Sequence, residues 1–570
     1  MVSAQVINAQ KKTIAAIFAR ALRAVCDSVA VWLLLATLAA MLPAFCYGIP
    51  AGADLTNHFR FALPFYDALH NLRGTPGWLA EANSGWGDPR FRFYPPGLYY
   101  LLALARWLCG NWHTAALAVF TLITWLRGVG VYFWAQTLGL KKQASVLAGV
   151  AAIFSPYLLI EVYQASLLAE YLAGAVLPFA FAFVARLTQK TRLVDVSGLA
   201  ASYALLIYSN LPLAVIGSLA LLAYTLLRLK GDWRWRRVFT LTFGVMLGLA
   251  ASASFWVTMW AELPLINSGV IAPNPYYDYR NNFLFSPFAL VNTNTWLASL
   301  FAVVTLAFIA PSLLLWRGKT KPGRQSLFPV MVLCLGSFLM TTDLSRPLWF
   351  LTPKLKEVQF PFRWLVVVSL AGSLLLGASL EAWRANGKNI KPRQLVLVGS
   401  FLLSLGFIVH QIFLDCNYLG RDAFEQHIAQ ARTGPSFPDW LPRQAKEAAQ
   451  MPKLPEVVET PGRAVNILSW QPEERVFTVA VGAAGMARVK TYYYPHWRAF
   501  DGAQELSAKA DENGAWLIAL PAKEVTVNLR FIEPPRTRQA ALVTLAAWLT
   551  ILALAGGSRF LPPAGSRNAV

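Results

Sequence analysis

The sequence predicts an α-helical polytopic membrane protein of about twelve spans, with interfacial helices outside the bilayer and a C-terminal β-rich external domain. Three observations carry this. Of 570 residues 56% are hydrophobic and only 14% are charged, and the mean hydropathy of +0.45 lies outside the soluble globular range. The net charge of +21 is concentrated in the short loops of one face, which hold 24 of the 50 basic residues and only 4 of the 29 acidic ones. That is the positive-inside signature of membrane topology, so nucleic acid is not a partner. Third, the long block before the last apolar run alternates apolar and polar residues with period two, the pattern of half-buried strands.

In chain order, the basic flank from Lys11 to Arg23 precedes a first span at Val29 to Cys46, too long for a signal h-region and read as an uncleaved anchor. The next stretch, 47–113, is polar, rich in Gly, Pro and aromatics, and is placed outside. Within it Pro95 to Cys109 is apolar but only about 15 residues long, short of the roughly 20 a span needs. If it crossed, every later basic loop would face the wrong side, so it reads as interfacial. The remaining spans are expected at about 114–138, 143–160, 168–186, 194–209, 211–229, 238–260, 292–316, 326–341, 361–383, 395–414 and 539–556, with both termini cytoplasmic. Three units follow: a transmembrane module at 1–414, an external domain at 415–538, and a final helix with a cytoplasmic tail at 539–570. In the external domain, polar helix-like sequence at Asp422 to Gln450 gives way to strands at Arg475–Ala480, Ala487–Tyr494, Ala515–Leu520 and Val525–Phe531, with a hairpin signal at Asn513-Gly514. The five cysteines show neither disulfide framework nor zinc spacing, and no internal repeat divides the chain into halves.

Polar residues that can carry chemistry lie in the external loops. Asp54 and His58 follow the first span; Asp88, Arg90, Arg92 and Tyr94 sit in the run Gly85 to Pro96; Glu161 and Glu170 flank a short external turn; Asp278 and Arg280 lie among Tyr276, Tyr277 and Tyr279; Gln359 and Arg363 open a later span. This one-sidedness favours a reaction at the outer surface, because a transporter places its charges near the midplane. Each residue also has a plainer reading. Asp54 can cap a surface helix; Arg363 can snorkel to headgroups instead of meeting a lipid phosphate; Glu170 can be a first-turn acid favoured by the helix dipole; the tyrosines can be interfacial anchors. Arg127, in mid-span, pairs with an acid such as Glu170 or serves function directly. Asp54 and His58 at i and i+4 allow a divalent metal, but two ligands do not make a site.

The pieces Gly52-Ala53-Asp54 with His58, Gly85 to Tyr100, Ala169 to Ala173, Ser209 to Pro212, Phe255-Trp256 with Glu262, Gln359 to Trp364, and Tyr493 to Trp497 with Asp501-Gly502 resemble a known set. They are similar to the GT-C superfamily of polyprenyl-phosphate-dependent glycosyltransferases, and more closely to the bacterial membrane proteins labelled 6-pyruvoyl-tetrahydropterin-synthase-related, a label that implies no pterin chemistry. The resemblance implies a GT-C-like fold in the bacterial inner membrane and an extracytoplasmic active site. It implies a polyprenyl-phosphate sugar donor, a lipid, glycan or protein acceptor, and Asp54 as general base. Arg363, with His58, Arg92 and Arg280, is then expected near the donor phosphate, and Asp88, Tyr94, Glu170, Asn210, Asp278 and Gln359 around the substrate. The first loop has one acid, at position 54, where the superfamily has a pair, so a divalent metal is not favoured and no cofactor is assigned. The competing classes are a transporter or lipid flippase, and a non-catalytic envelope scaffold.

Overall fold

The computed structural model describes residues 28–230, 232–267, 274–287, 293–317, 321–385, 392–432, 440–451, 455–460 and 462–557. The basic flank from Lys11 to Arg23 and the tail beyond Gly557 lie outside them. Among the described residues nine helices are long and apolar enough to cross a membrane: Val29–Tyr47, Trp112–Thr137, Lys142–Tyr163, Leu168–Gln189, Leu211–Leu229, Thr295–Leu313, Pro361–Leu380, Gln394–Phe413 and Pro535–Gly557. Three expected spans depart from that standard. Leu193–Ser209 has 17 residues, a rise of about 25 Å against a hydrocarbon core of about 30 Å, and Ser326–Met340 is shorter still. The third, Trp235–Ala251 with Ala253–Leu265, is bent by 67°. At the bend Ser252 Oγ donates to Gly248 O at 3.1 Å and Trp256 Nε1 to Leu249 O at 2.9 Å, so side chains take carbonyls that a straight helix would use. The interfacial segment is the 13-residue helix Gly97–Cys109, ended by Gly110 in the left-handed conformation at φ 76°.

The most deeply buried helices, Leu168–Gln189 and Pro361–Leu380, form the centre of the bundle. Small residues let the chains approach there. A Cβ on Gly174 would lie 3.2 Å from Val366, and one on Gly130 2.8 Å from Pro178. At one end of the bundle the first loop is tied to the segment that follows Phe413 by a two-residue antiparallel ladder, Ile49 opposite Leu419 and Pro50 opposite Tyr418. The helix Leu55–His70 then buries Phe59, Phe61, Leu63 and Phe65, and Phe59 packs edge-on against Phe424 of the helix Arg421–Ala431.

The C-terminal β region holds two antiparallel sheets. One orders Val457–Thr460, Gly485–Tyr492, Ala515–Leu520 and Ala508–Ala510; the other orders Val465–Gln471, Glu474–Val479, Val525–Phe531, Trp497–Asp501 and Gln504–Glu505. All four expected strands are present, and Asn513-Gly514 turns the chain between Ala508–Ala510 and Ala515–Leu520, with Gly514 at φ 83°. Alternate residues such as Phe477, Val479, Val527 and Leu529 face inward. Their core also takes in Trp78, Trp86 and Phe93 from the first loop, and Trp86 stacks on Tyr492 at 5.6 Å. The first loop therefore completes the hydrophobic core of the β region.

Candidate functional site

Asp54 stands where the first loop meets the turn before the helix Leu168–Gln189. Ala53 N–H donates to Gln164 O at 3.2 Å and Asp54 N–H to Ala165 O at 3.0 Å. This approach requires Gly52, because a Cβ there would lie 2.4 Å from Ser166 Oγ and 2.6 Å from Ser166 N. Ser166 itself adopts φ 49°, a strained conformation for a non-glycine residue. Asp54 occupies the N-cap position of Leu55–His70, yet its side chain accepts no capping hydrogen bond. It accepts instead from Asn57 Nδ2 at 3.2 Å and is half-buried. The capping role, which would fully account for an Asp here, is not the one its carboxylate performs.

Around Asp54 the structure gathers groups from four further segments. Arg363 lies in the turn Pro361–Trp364, with its Nε 3.0 Å from Glu170 Oε2 and its Nη1 donating to Val358 O at 3.2 Å. Gln359, just before that turn, is held at φ 66°. Glu170 accepts from the Tyr157 hydroxyl at 3.3 Å, and Glu161, almost wholly buried, faces Glu170, Arg127 and Arg363. Tyr94 feels the charges of Asp54, Arg363 and Glu170 together, and burial is the main cause of its raised pKa. His58 is buried with Nδ1 3.3 Å from the Tyr99 hydroxyl. Burial pushes its pKa down to about 4, against a smaller upward pull from Asp54, so the ring is neutral near pH 7. One cluster thus contains Asp54, His58, Tyr94, Glu170 and Arg363 of the expected residues. A neutral His58 supplies no positive charge for an anion, whereas the Arg363 guanidinium acts on Tyr94 together with the Asp54 carboxylate.

Other expected residues have partners elsewhere in the structure. Arg92 is buried in a network with Glu262 and Glu533: Nη2 donates to Glu262 Oε1 at 2.6 Å, Nη1 to Glu533 Oε1 at 2.7 Å, and Nε is bonded to Glu262 Oε2. Each of its three guanidinium nitrogens is thus bonded to a carboxylate. Glu262 also accepts the Tyr494 hydroxyl at 2.7 Å and lies 3.0 Å from His496 Nε2, which joins the first loop, the bent helix and the β region. Asp88 is fully buried against Arg90 at 2.6 Å and accepts from Asn83 at 3.0 Å. Asp278 and Arg280 pair with each other at 2.5 Å, on an exposed loop. Asn210 caps Leu211–Leu229, its Oδ1 accepting from Leu213 N–H at 2.8 Å. Arg127 does not pair with Glu170; it donates to Leu158 O at 3.4 Å and Ile153 O at 3.5 Å and lies 4.6 Å over Tyr171, bridging the break between the helices ending at Ile153 and starting at Pro156. Among the described residues no group of three or more His, Cys, Asp or Glu is arranged to hold a metal ion.

Sequence reasoning did not place Tyr157 and Tyr99 in the cluster. Tyr157 precedes Glu161 by four residues, which puts both on one helix face; Tyr99 follows Pro95-Pro96 on the first turn of the interfacial helix. Both are fully buried tyrosines whose hydroxyls point at a titratable group, a pattern visible only once the helices are packed.

Several solved structures have a similar outline. They include ArnT from Cupriavidus metallidurans bound to undecaprenyl phosphate, at 16% identity with 66% of this chain and 62% of that one covered and a TM-score of 0.43. The arabinofuranosyltransferase AftD from Mycobacteria matches at 15% identity over 67% of this chain and 27% of that one, with a TM-score of 0.44. The Archaeoglobus fulgidus oligosaccharyltransferase in the apo form matches at 12% identity over 72% and 56%, with a TM-score of 0.41. The chain therefore spans less than two thirds of the length of each. No curated protein matches the sequence. The profile of the 6-pyruvoyl-tetrahydropterin synthase related domain, described as a membrane protein, matches residues 91–419, more than half of the chain, and the protein belongs to that family.

Proposed function

We propose that this protein is a membrane glycosyltransferase that moves a sugar from a polyprenyl-phosphate donor to an acceptor hydroxyl on the outer face of the bacterial inner membrane. Both termini are then cytoplasmic, about twelve segments cross the bilayer, and the β region at 415–538 is extracytoplasmic. The observation that carries the reading is the meeting of an Asp54 carboxylate not used as a helix cap with the Arg363 guanidinium around Tyr94. A transfer of this kind needs little acid assistance, because the phosphate leaves as an anion. The bond from sugar C1 to the phosphate oxygen breaks and its electron pair stays on that oxygen. The acceptor oxygen bonds to C1, and its proton passes to Asp54 as general base. Arg363 stabilises the charge that develops on the departing phosphate, and Tyr94 and Gln359 border the reacting groups.

Asp54→Asn tests the assignment in membranes supplied with polyprenyl-phosphate sugar. Loss of a general base should slow transfer by about 10²–10⁴-fold, and because Asp54 caps nothing the variant should keep native stability. Transfer at the native rate would sink Asp54 as the base, whereas no transfer by the native protein would favour the transporter or scaffold classes.

A further inference from the structure

Arg363, which the reading above assigns to the donor phosphate, already holds an anion. Glu170 Oε2 lies 3.0 Å from its Nε, and the other Glu170 oxygen accepts from Tyr157 at 3.3 Å. Glu170 is 1% exposed. The other charged groups that face it are acids, Asp54 from the first loop and Glu161 from the helix Pro156–Tyr163. The remaining cation nearby, Arg127, is directed at Leu158 and Ile153 carbonyls. When a phosphate draws Arg363 away, Glu170 is left buried without its cation, and a buried charge without its partner is strongly disfavoured.

The two phosphates that visit such a site differ in charge. The donor is a phosphodiester with one negative charge; the lipid phosphate left after transfer is a monoester that carries most of a second charge at neutral pH. Arg363 alone would therefore hold the product harder than the substrate, and release of product would limit turnover. We propose that Glu170 is a positioning residue that recaptures Arg363 and so expels the lipid monophosphate product. This rests on the glycosyltransferase reading.

The test uses the full-length protein in lipid nanodiscs, with a polyprenyl monophosphate as product inhibitor and polyprenyl-phosphate sugar as donor. Glu170→Gln keeps the shape and the Tyr157 hydrogen bond but removes the charge. It should tighten inhibition by the monophosphate about tenfold, lower kcat and KM together, and produce a burst of one turnover before a slow steady state. A merely structural loss would move inhibition the other way, toward weaker binding. Glu170→Asp, whose shorter side chain withdraws the carboxylate from Arg363, should shift inhibition in the same direction by a smaller factor and serves where Glu170→Gln does not fold. Native inhibition that is relieved by Arg363→Ala but not tightened by either Glu170 variant would overturn this inference alone. Absence of monophosphate inhibition in the native protein, unchanged by Arg363→Ala, would overturn the glycosyltransferase reading along with it.

Discussion

Removing Glu262 should loosen the junction between the membrane bundle and the β region. Its carboxylate is fully buried and meets two Arg92 nitrogens, the Tyr494 hydroxyl at 2.7 Å and His496 Nε2 at 3.0 Å. Breaking a buried ion pair by deleting one partner costs about 3–5 kcal/mol. Arg92 keeps Glu533, at 2.7 Å, which holds its own loss to the lower end of that range; the stranded Tyr494 hydroxyl adds about 1–3 kcal/mol. Glu262→Ala is therefore expected to cost about 4–6 kcal/mol. Glu262→Gln, which retains one acceptor oxygen but turns an amide N–H toward Arg92, should cost less. Trp78, Trp86 and Trp497 are buried in the adjoining core, so thermal unfolding followed by tryptophan fluorescence reads the junction directly. Arg92→Met combined with Glu262→Leu should recover part of the loss, since apolar replacement of both partners is far milder than stranding one. A Glu262→Ala variant within about 0.5 kcal/mol of the native protein would refute the view that Arg92 is a structural residue, and would return it to the phosphate-binding group.

Acid should also weaken the fold through His58. Its pKa is lowered from 6.5 to about 4 by burial, so the unfolded chain binds the proton more readily, and stability complete above pH 6.5 falls as pH drops toward 4, by about 3 kcal/mol in all. His58→Gln should flatten that part of a melting-temperature profile against pH, and an unchanged profile would count against a buried neutral ring. Gly52→Ala drives a methyl to 2.4 Å from Ser166 Oγ and should lower transfer nearly as far as Asp54→Asn, while the β region, monitored by its tryptophan fluorescence, melts as in the native protein. Asn210→Ala removes a cap and should cost about 1 kcal/mol in thermal unfolding without altering KM for either substrate; a raised KM would restore Asn210 to the substrate contacts.

The helices and four longest inner strands were readable because hydrophobic runs and period-two alternation report burial directly. What escaped had no such pattern. Gln504–Glu505 and Ala508–Ala510 have two and three residues, too few to alternate, and Val465–Gln471 is exposed at most positions. The 67° bend falls at Ala250-Ala251-Ser252-Ala253, with neither Pro nor Gly to announce it; its cause is Ser252 and Trp256 bonding to carbonyls of the preceding turn. The β region also looked separable, because nothing local reveals that Trp78 and Trp86 fill a core built some 400 residues later.

The site was legible where topology alone could speak for it. Asp54, Glu170 and Arg363 each flank the end of an apolar run, so packing those helices side by side brings the three together. Arg92 is different: a guanidinium among aromatics looks the same whether its partner is a phosphate or Glu262, 170 residues away. For Asp88 and Asp278 a local signal did exist. Asp88-Pro-Arg90 and Asp278-Tyr-Arg280 share the spacing Asp-x-Arg, and in both the carboxylate accepts the arginine's own backbone N–H, at 3.0 and 2.9 Å, as well as its guanidinium. Asp232-Trp-Arg234 repeats the side-chain pair at 2.9 Å on another loop. A closed local pair is satisfied before any ligand arrives, so Asp-x-Arg argues against a substrate role. By that criterion the motif pieces divide in two. Those around Glu262 and Arg92 fasten the β region to the bundle, and those around Glu170 and Arg363 pair an acid and a base from separate segments, the pair that the proposed product release would open.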